Sequence, residues 1–181
     1  MKSKSVIIVC GDPKSTFNEI LIKTLKNKIF KSVTFPIIIV GSIKLIKKEL
    51  KKLKVKINLQ NFDNQKNLHR NNIYYIDIPI DLKNLSLTKK NSYIEKSFEV
   101  ALNLLKKGDS FALINGPISK TTFLKGKYNG ITEFLAFKTK SYNEVMFLFN
   151  KTLSVTPITT HIPINKVAQK IKKKIIISKI N

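Results

Sequence analysis

Residues 5–10 read Ser-Val-Ile-Ile-Val-Cys, a short β-branched run with no charged residue in it. Runs of this kind form strands buried on both faces, as in a parallel sheet. The run stops at Gly11-Asp12-Pro13, a turn signal. Phe17, Ile20, Leu21, Thr24 and Leu25 then recur at helical spacing, which predicts a helix over 16–28. Thr16 is a candidate N-cap, and Glu19, three residues on, completes a capping-box pattern. The phrase then repeats. Residues 36–40 form a second buried-type strand stopped by Gly41, and 42–54 read as a helix with Ile43, Ile46, Leu50 and Leu53 on one face. A β-α-β-α order of this type calls for a layered α/β fold with right-handed crossovers.

The rest of the chain continues the pattern less regularly. A third strand is expected over 55–59, then a polar, Asn-rich loop over 61–72, then a strand over 73–78 and an irregular stretch over 79–90. Ser92 with Glu95 predicts the start of a helix over 93–107, with Ile94, Phe98, Ala101, Leu102 and Leu105 facing inward. Residues 110–115 read as a strand that ends at Gly116-Pro117. After a turn region over 123–129, a short helix is expected over 130–138. Strands over 145–149 and 153–157 flank a turn at Asn150-Lys151-Thr152, and Val167, Ile171 and Ile175 place a last helix from 165 to 174. There is no internal repeat and no clear linker.

Composition excludes several classes. At 43% hydrophobic residues the chain is not a disordered basic tail. One cysteine, Cys10, leaves no disulfide framework and no Cys-rich zinc module. No apolar run approaches the roughly 20 residues of a membrane span, and the N-terminal apolar stretch is too short for a signal peptide, so a cytoplasmic protein is expected. The net charge of +23 suggests nucleic acid at first. However, 33 of the 34 basic residues are Lys, and Lys, Ile and Asn make up 77 of 181 residues. Arg, which carries most bidentate base and phosphate recognition, occurs only as Arg70. The charge therefore reads as an AT-rich coding bias spread over a solvated surface.

Ligands in open α/β sheets bind beyond the carboxyl ends of the strands. Three polar segments marked by Gly or Pro fall at such ends: Gly11-Asp12-Pro13, Asn115-Gly116-Pro117-Ile118-Ser119-Lys120, and Thr159-Thr160-His161-Ile162-Pro163. Between the last two lie Asn129-Gly130-Ile131-Thr132-Glu133-Phe134-Leu135-Ala136 and Val145-Met146-Phe147-Leu148. In this order the segments resemble the consecutive motifs of the 4-hydroxythreonine-4-phosphate dehydrogenase family. The likeness is strongest over 111–163 and weaker over 28–87.

The resemblance implies a layered α/β/α fold of the isocitrate and isopropylmalate dehydrogenase type. It implies an enzyme of vitamin B6 synthesis that oxidises 4-phosphohydroxy-L-threonine with NAD, after which the β-keto acid loses CO2. It also implies a divalent metal (Zn²⁺, Mg²⁺ or Co²⁺) and a homodimer with a shared active site. His161 matches the family's first metal-binding histidine, and a neutral imidazole suits such an ion; on its own it would read as a polar turn residue. Thr132 matches a substrate-contacting threonine whose hydroxyl can donate to a phosphate or carboxylate oxygen, with N-capping of the following helix as the alternative. Lys120 could face an anion or lie on the surface. Asp12 could cap its own turn or orient a ligand group.

The sequence departs from the family in three ways. Lys14-Ser15-Thr16-Phe17-Asn18 stands where a Gly-rich continuation is usual, and close backbone approach to a ligand needs glycine. Ile131 stands where the family commonly has a histidine that contacts substrate, and Ile can neither donate a hydrogen bond nor carry charge. The family continues for roughly as long again, with further metal histidines, so residues 1–181 correspond to the N-terminal portion of a two-lobed enzyme. His69 matches none of those histidines. Two other readings remain: a non-catalytic, dimerising remnant of the family, and a basic nucleic-acid binder.

Overall fold

The first apolar run forms β1 (Ser5–Val9) and the second forms β2 (Ile37–Gly41), each buried at all five positions. The fold comes from a computed structural model that describes residues 4–27, 30, 32–62, 68–141 and 144–180. Helices α1 (Phe17–Lys26) and α2 (Ile43–Lys52) follow the two strands in turn. Strands β3 (Leu59–Asn61) and β4 (Ile73–Asp77), helix α3 (Leu87–Lys106) and strand β5 (Ser110–Asn115) come next. The five strands are all parallel, in the order β3-β4-β2-β1-β5.

Strand alternation sends side chains to both faces. Ile8, Cys10, Ile37, Ile39 and Ile73 form one core with Leu21, Ile22 and Leu25 of α1 and Ile46 of α2. Ile7, Val9, Ile38 and Val40 alternate to the other face and are also buried. There α3 packs against β1, β2 and β5 and buries Tyr93, Ile94, Phe98, Ala101 and Leu102. The sheet is thus covered on both sides, the α/β/α layering expected from the sequence. The chain leaves β1 toward β2 on one side and returns to β5 on the other. The strand order therefore reverses between β1 and β5, and this switch point is where such sheets bind ligands.

Several local expectations are corrected. Thr16 is not a side-chain cap: its backbone is turn-like (φ −77°, ψ 2°), and Glu19 instead pairs with Lys23 and Lys52. The third strand is at Leu59–Asn61 rather than 55–59. Helix α3 begins well before Ser92, because Ser86 is its N-cap and accepts from the Lys89 amide at 3.2 Å. Its burial stripe ends on Leu104 rather than Leu105. The Asn-rich stretch 61–72 includes residues 63–67, which lie outside the described residues.

Contacts divide the chain into two compact units, Met1–Thr122 and Phe123–Asn181. The second contains α4 (Ile131–Thr139), over which Phe123, Tyr128, Phe134 and Phe137 make a chain of ring contacts. An antiparallel pair follows, β6 (Leu148–Phe149) with β7 (Ser154–Val155). These two-residue ladders replace the five-residue strands expected over 145–149 and 153–157. The expected last helix is also interrupted. A 3₁₀ turn (Ile164–Lys166) leads into α5 (Val167–Lys170), the chain becomes extended at Ile171, and α6 spans Lys173–Ile180. Neither α5 nor α6 has a fully buried residue; Val167, Ile175 and Ile176 are half-buried. Among the described residues, no helix is long and apolar enough to cross a membrane.

Candidate active-site segments

At the switch point the ends of β1 and β5 interlock. Gly11 has φ +71°, and a Cβ there would lie 2.5 Å from the Pro117 carbonyl oxygen. A Cβ on Gly116 would lie 2.3 Å from the Cys10 carbonyl oxygen. Both positions require glycine, the first for its left-handed backbone and both for close approach. The Gly116 amide donates to the Val9 carbonyl at 2.7 Å, and the Asp12 amide to the Pro117 carbonyl at 2.8 Å.

Asp12 does two things here. Its Oδ1 accepts from the Lys14 amide at 3.0 Å, the turn-capping role the sequence offered. Its Oδ2 accepts from Lys90 Nζ at 2.9 Å, and each of these side chains is only 16% exposed. Beside Lys90, Asn91 Nδ2 donates to the Thr122 carbonyl at 2.8 Å. Asn91 Oδ1 and Thr122 Oγ1 are buried and have no hydrogen-bond partner among the described residues. Ser119 Oγ accepts from the Thr122 amide and bonds to Thr121 Oγ1. Lys120 is exposed at the start of a five-residue π-helical turn, Lys120–Leu124. Lys90 and Asn91 were not legible as site residues, because 79–90 reads as irregular. The Ser86 cap was the available signal that a helix would carry them to the sheet end.

In the second unit, Thr132 lies half-buried in the first turn of α4. The N-cap position belongs to Gly130, so the capping alternative for Thr132 is not realised. Beside it, Glu133 Oε2 is buried, has no hydrogen-bond partner among the described residues and lies 3.0 Å from where a Cβ on Gly130 would be. Ile131 opens the helix and is half-buried. His161 is exposed and has a left-handed backbone, φ +55°. Its imidazole is available as one ligand. Among the described residues there is no group of three or more His, Cys, Asp or Glu that could hold a metal ion. These residues therefore do not make a metal site by themselves. His69 is exposed, and its amide donates to the Tyr74 hydroxyl at 3.0 Å. Burial pushes the Cys10 thiol up to about 12, so it stays protonated and is no nucleophile.

A doubly covered parallel sheet with Gly-Pro loops locked together at its switch point defines an α/β protein of the kind that binds ligands at strand ends. The profile of one family, described as pyridoxal phosphate biosynthetic protein PdxA, matches residues 33–181. This chain belongs to that family. It is 33% identical to the 4-hydroxythreonine-4-phosphate dehydrogenase of Sulfurihydrogenibium sp. (strain YO3AOP1), over 96% of this chain and 54% of the relative. A D-threonate 4-phosphate dehydrogenase of Salmonella typhimurium is 26% identical over 92% of this chain and 53% of its own length. Among solved structures, a 4-hydroxythreonine-4-phosphate dehydrogenase from Klebsiella pneumoniae superposes with a TM-score of 0.81 at 26% identity, covering 98% of this chain and 57% of that one. One from Burkholderia phymatum gives a TM-score of 0.82 at 23% identity, with coverage of 99% and 57%. The chain thus spans little more than half the length of these relatives.

Proposed function

We propose that this chain supplies the N-terminal part of a cytoplasmic, NAD-dependent and divalent-metal-dependent dehydrogenase acting on 4-phosphohydroxy-L-threonine. The alcohol carbon gives a hydride to NAD and the hydroxyl gives up its proton. The resulting β-keto acid then releases CO2. The observation that carries this reading is the family match over 33–181, which contains the Gly-Pro, Thr-Glu-Phe and Thr-His-Ile-Pro segments in order.

Within that reading the chain's own residues have limited roles. The Thr132 hydroxyl donates to a phosphate or carboxylate oxygen of the substrate. His161 contributes one imidazole toward a metal such as Zn²⁺, Mg²⁺ or Co²⁺, and the other donors come from polypeptide outside this chain or from the second subunit of a homodimer. The net charge of +23 favours approach of a phosphorylated substrate and a dinucleotide.

Ile131 favours a second reading. It removes a donor beside Thr132, and two relatives are named for D-threonate 4-phosphate. The test is NADH formation from each phosphorylated substrate by the chain together with polypeptide extending it to its relatives' length. Faster turnover of 4-phosphohydroxy-L-threonine supports the first reading. A preference for D-threonate 4-phosphate supports the second, and no turnover of either substrate by a folded protein contradicts both.

A further inference from the structure

Just past the end of β4 the first unit has a hollow of about 460 Å³, within the roughly 300–1,000 Å³ of small-molecule sites. Its floor is apolar. Ile78 and Tyr93 are buried there, and Pro79 and Ile80 continue the floor along the segment that leaves β4. Its polar lining comes mostly from one side of α3. Lys89, Ser92 and Lys96 recur at i, i+3 and i+7, so they stand on one face of the helix. Seven residues of helix set the two lysines about 10 Å apart along its axis, close enough for both ammonium groups to reach one anion. Neither has an ion-pair partner among the described residues. Lys90, next to Lys89 on the chain, is by contrast neutralised by Asp12. Asp81 is the acidic member of the lining, and its Oδ1 already accepts from the Lys83 amide at 2.9 Å.

We propose that this hollow binds a phosphate monoester, with the phosphate between Lys89 and Lys96 and the carbon body on the floor of Ile78 and Tyr93. Lysine binds phosphate as a point charge. The Thr88 and Ser92 hydroxyls, also in the lining, supply two further donors for a group with three acceptor oxygens. A carboxylate brings one charge and two oxygens and leaves part of this donor set unused. Inorganic phosphate makes the charged contacts but leaves the apolar floor in water, so an ester with an apolar body is the better occupant. The lining shares no residue with the Gly11-Asp12-Pro13 and 115–120 segments. The inference does not rest on the proposed reaction, and its readout is binding rather than turnover.

The test is titration of the full chain with phenyl phosphate, inorganic phosphate and phenol, followed by ¹H–¹⁵N correlation spectra. Three proteins are compared: the parent, Lys89→Gln/Lys96→Gln, and Lys47→Gln/Lys51→Gln. The last removes the same charge from exposed lysines of α2 that lie outside the hollow. For the parent, phenyl phosphate should give saturable shifts at the amides of Ile78, Ile80, Lys89, Ser92 and Lys96, with a Kd of about 1 mM or tighter. Inorganic phosphate and phenol should each bind at least about 10-fold more weakly, and so should phenyl phosphate to Lys89→Gln/Lys96→Gln. The α2 variant should match the parent within about twofold. The absence of saturable shifts in the parent would overturn the proposal. Shifts centred on 11–13 and 115–120 would do so as well, as would equal weakening in the α2 variant, which would mark a general attraction to a +23 chain. Equal affinity for inorganic phosphate would overturn the assignment of an ester.

Discussion

Replacing Tyr93 by Phe removes a single oxygen from the junction of α2, α3 and the end of β2. The Ser42 amide donates to that oxygen at 3.0 Å, and Tyr93 and Ser42 are 5% and 2% exposed. The next amide, Ile43, donates to Asp77 Oδ1 at 2.9 Å. The first two amides at this end of α2 are thus satisfied by side chains from α3 and β4, because the Ser42 side chain makes no capping bond. Burial is the main cause holding the Tyr93 phenol well above its ordinary pKa, so the acceptor is neutral at every ordinary pH. The Tyr93→Phe variant leaves a buried N–H without a partner, which costs about 1–3 kcal/mol. With a urea slope of about 1–3 kcal/mol per molar, the midpoint should fall by roughly 1 M. Ser42→Ala is the matched control. Ser42 Oγ is already buried with no hydrogen-bond partner among the described residues, so its removal should leave the midpoint unchanged or raise it, unlike an ordinary N-cap deletion. The assay is urea unfolding followed by far-ultraviolet circular dichroism. Equal midpoints for Tyr93→Phe and the parent, or a larger loss for Ser42→Ala than for Tyr93→Phe, would refute the reasoning.

Gly116→Ala places a methyl 2.3 Å from the Cys10 carbonyl oxygen just past β1, which cannot swing away as a side chain can. It should cost more than about 2 kcal/mol in the same unfolding assay. Asp12→Ala strands a mostly buried Lys90 ammonium and frees the Lys14 amide; a loss of about 1.5–3 kcal/mol is expected. Cys10 gives a pH prediction. Burial holds its folded pKa at about 12, above the ordinary thiol value of 9.0. Between these values the unfolded chain has released a proton that the folded chain keeps, so stability should hold below pH 9 and fall as pH rises toward 12. The same burial should block alkylation of Cys10 at pH 8 until the protein is unfolded, as mass spectrometry of the labelled chain would show.

The sheet was legible where both faces are covered. Residues 5–10 and 36–40 carry their burial in an unbroken apolar run, and β1 and β2 form as that pattern requires. Helix starts were less legible, because Thr16-Glu19 and Ser92-Glu95 fit the capping box by composition alone. Which hydroxyl caps a helix depends on where the preceding turn ends, and at α3 the choice fell on Ser86. The runs at 145–149 and 153–157 read as five-residue strands, but a strand needs neighbours, and the described ladder is two residues long. At the candidate site, sequence order singled out Asp12, Lys120, Thr132 and His161 as candidates. The Asp12–Lys90 pair joins residues 78 positions apart, and no local pattern announces such a contact.

The proposal at the centre of this account is that these motifs belong to an NAD- and metal-dependent dehydrogenase in which His161 would be one ligand of the metal. It is tested most directly by NADH formation from 4-phosphohydroxy-L-threonine in the chain completed to its relatives' length, with and without chelator, for the parent and His161→Ala. The account predicts turnover in the parent that is abolished by chelator and restored by added Zn²⁺, Mg²⁺ or Co²⁺, and a His161→Ala variant that is folded but inactive at every metal concentration. Turnover that survives both chelator and His161→Ala would contradict it.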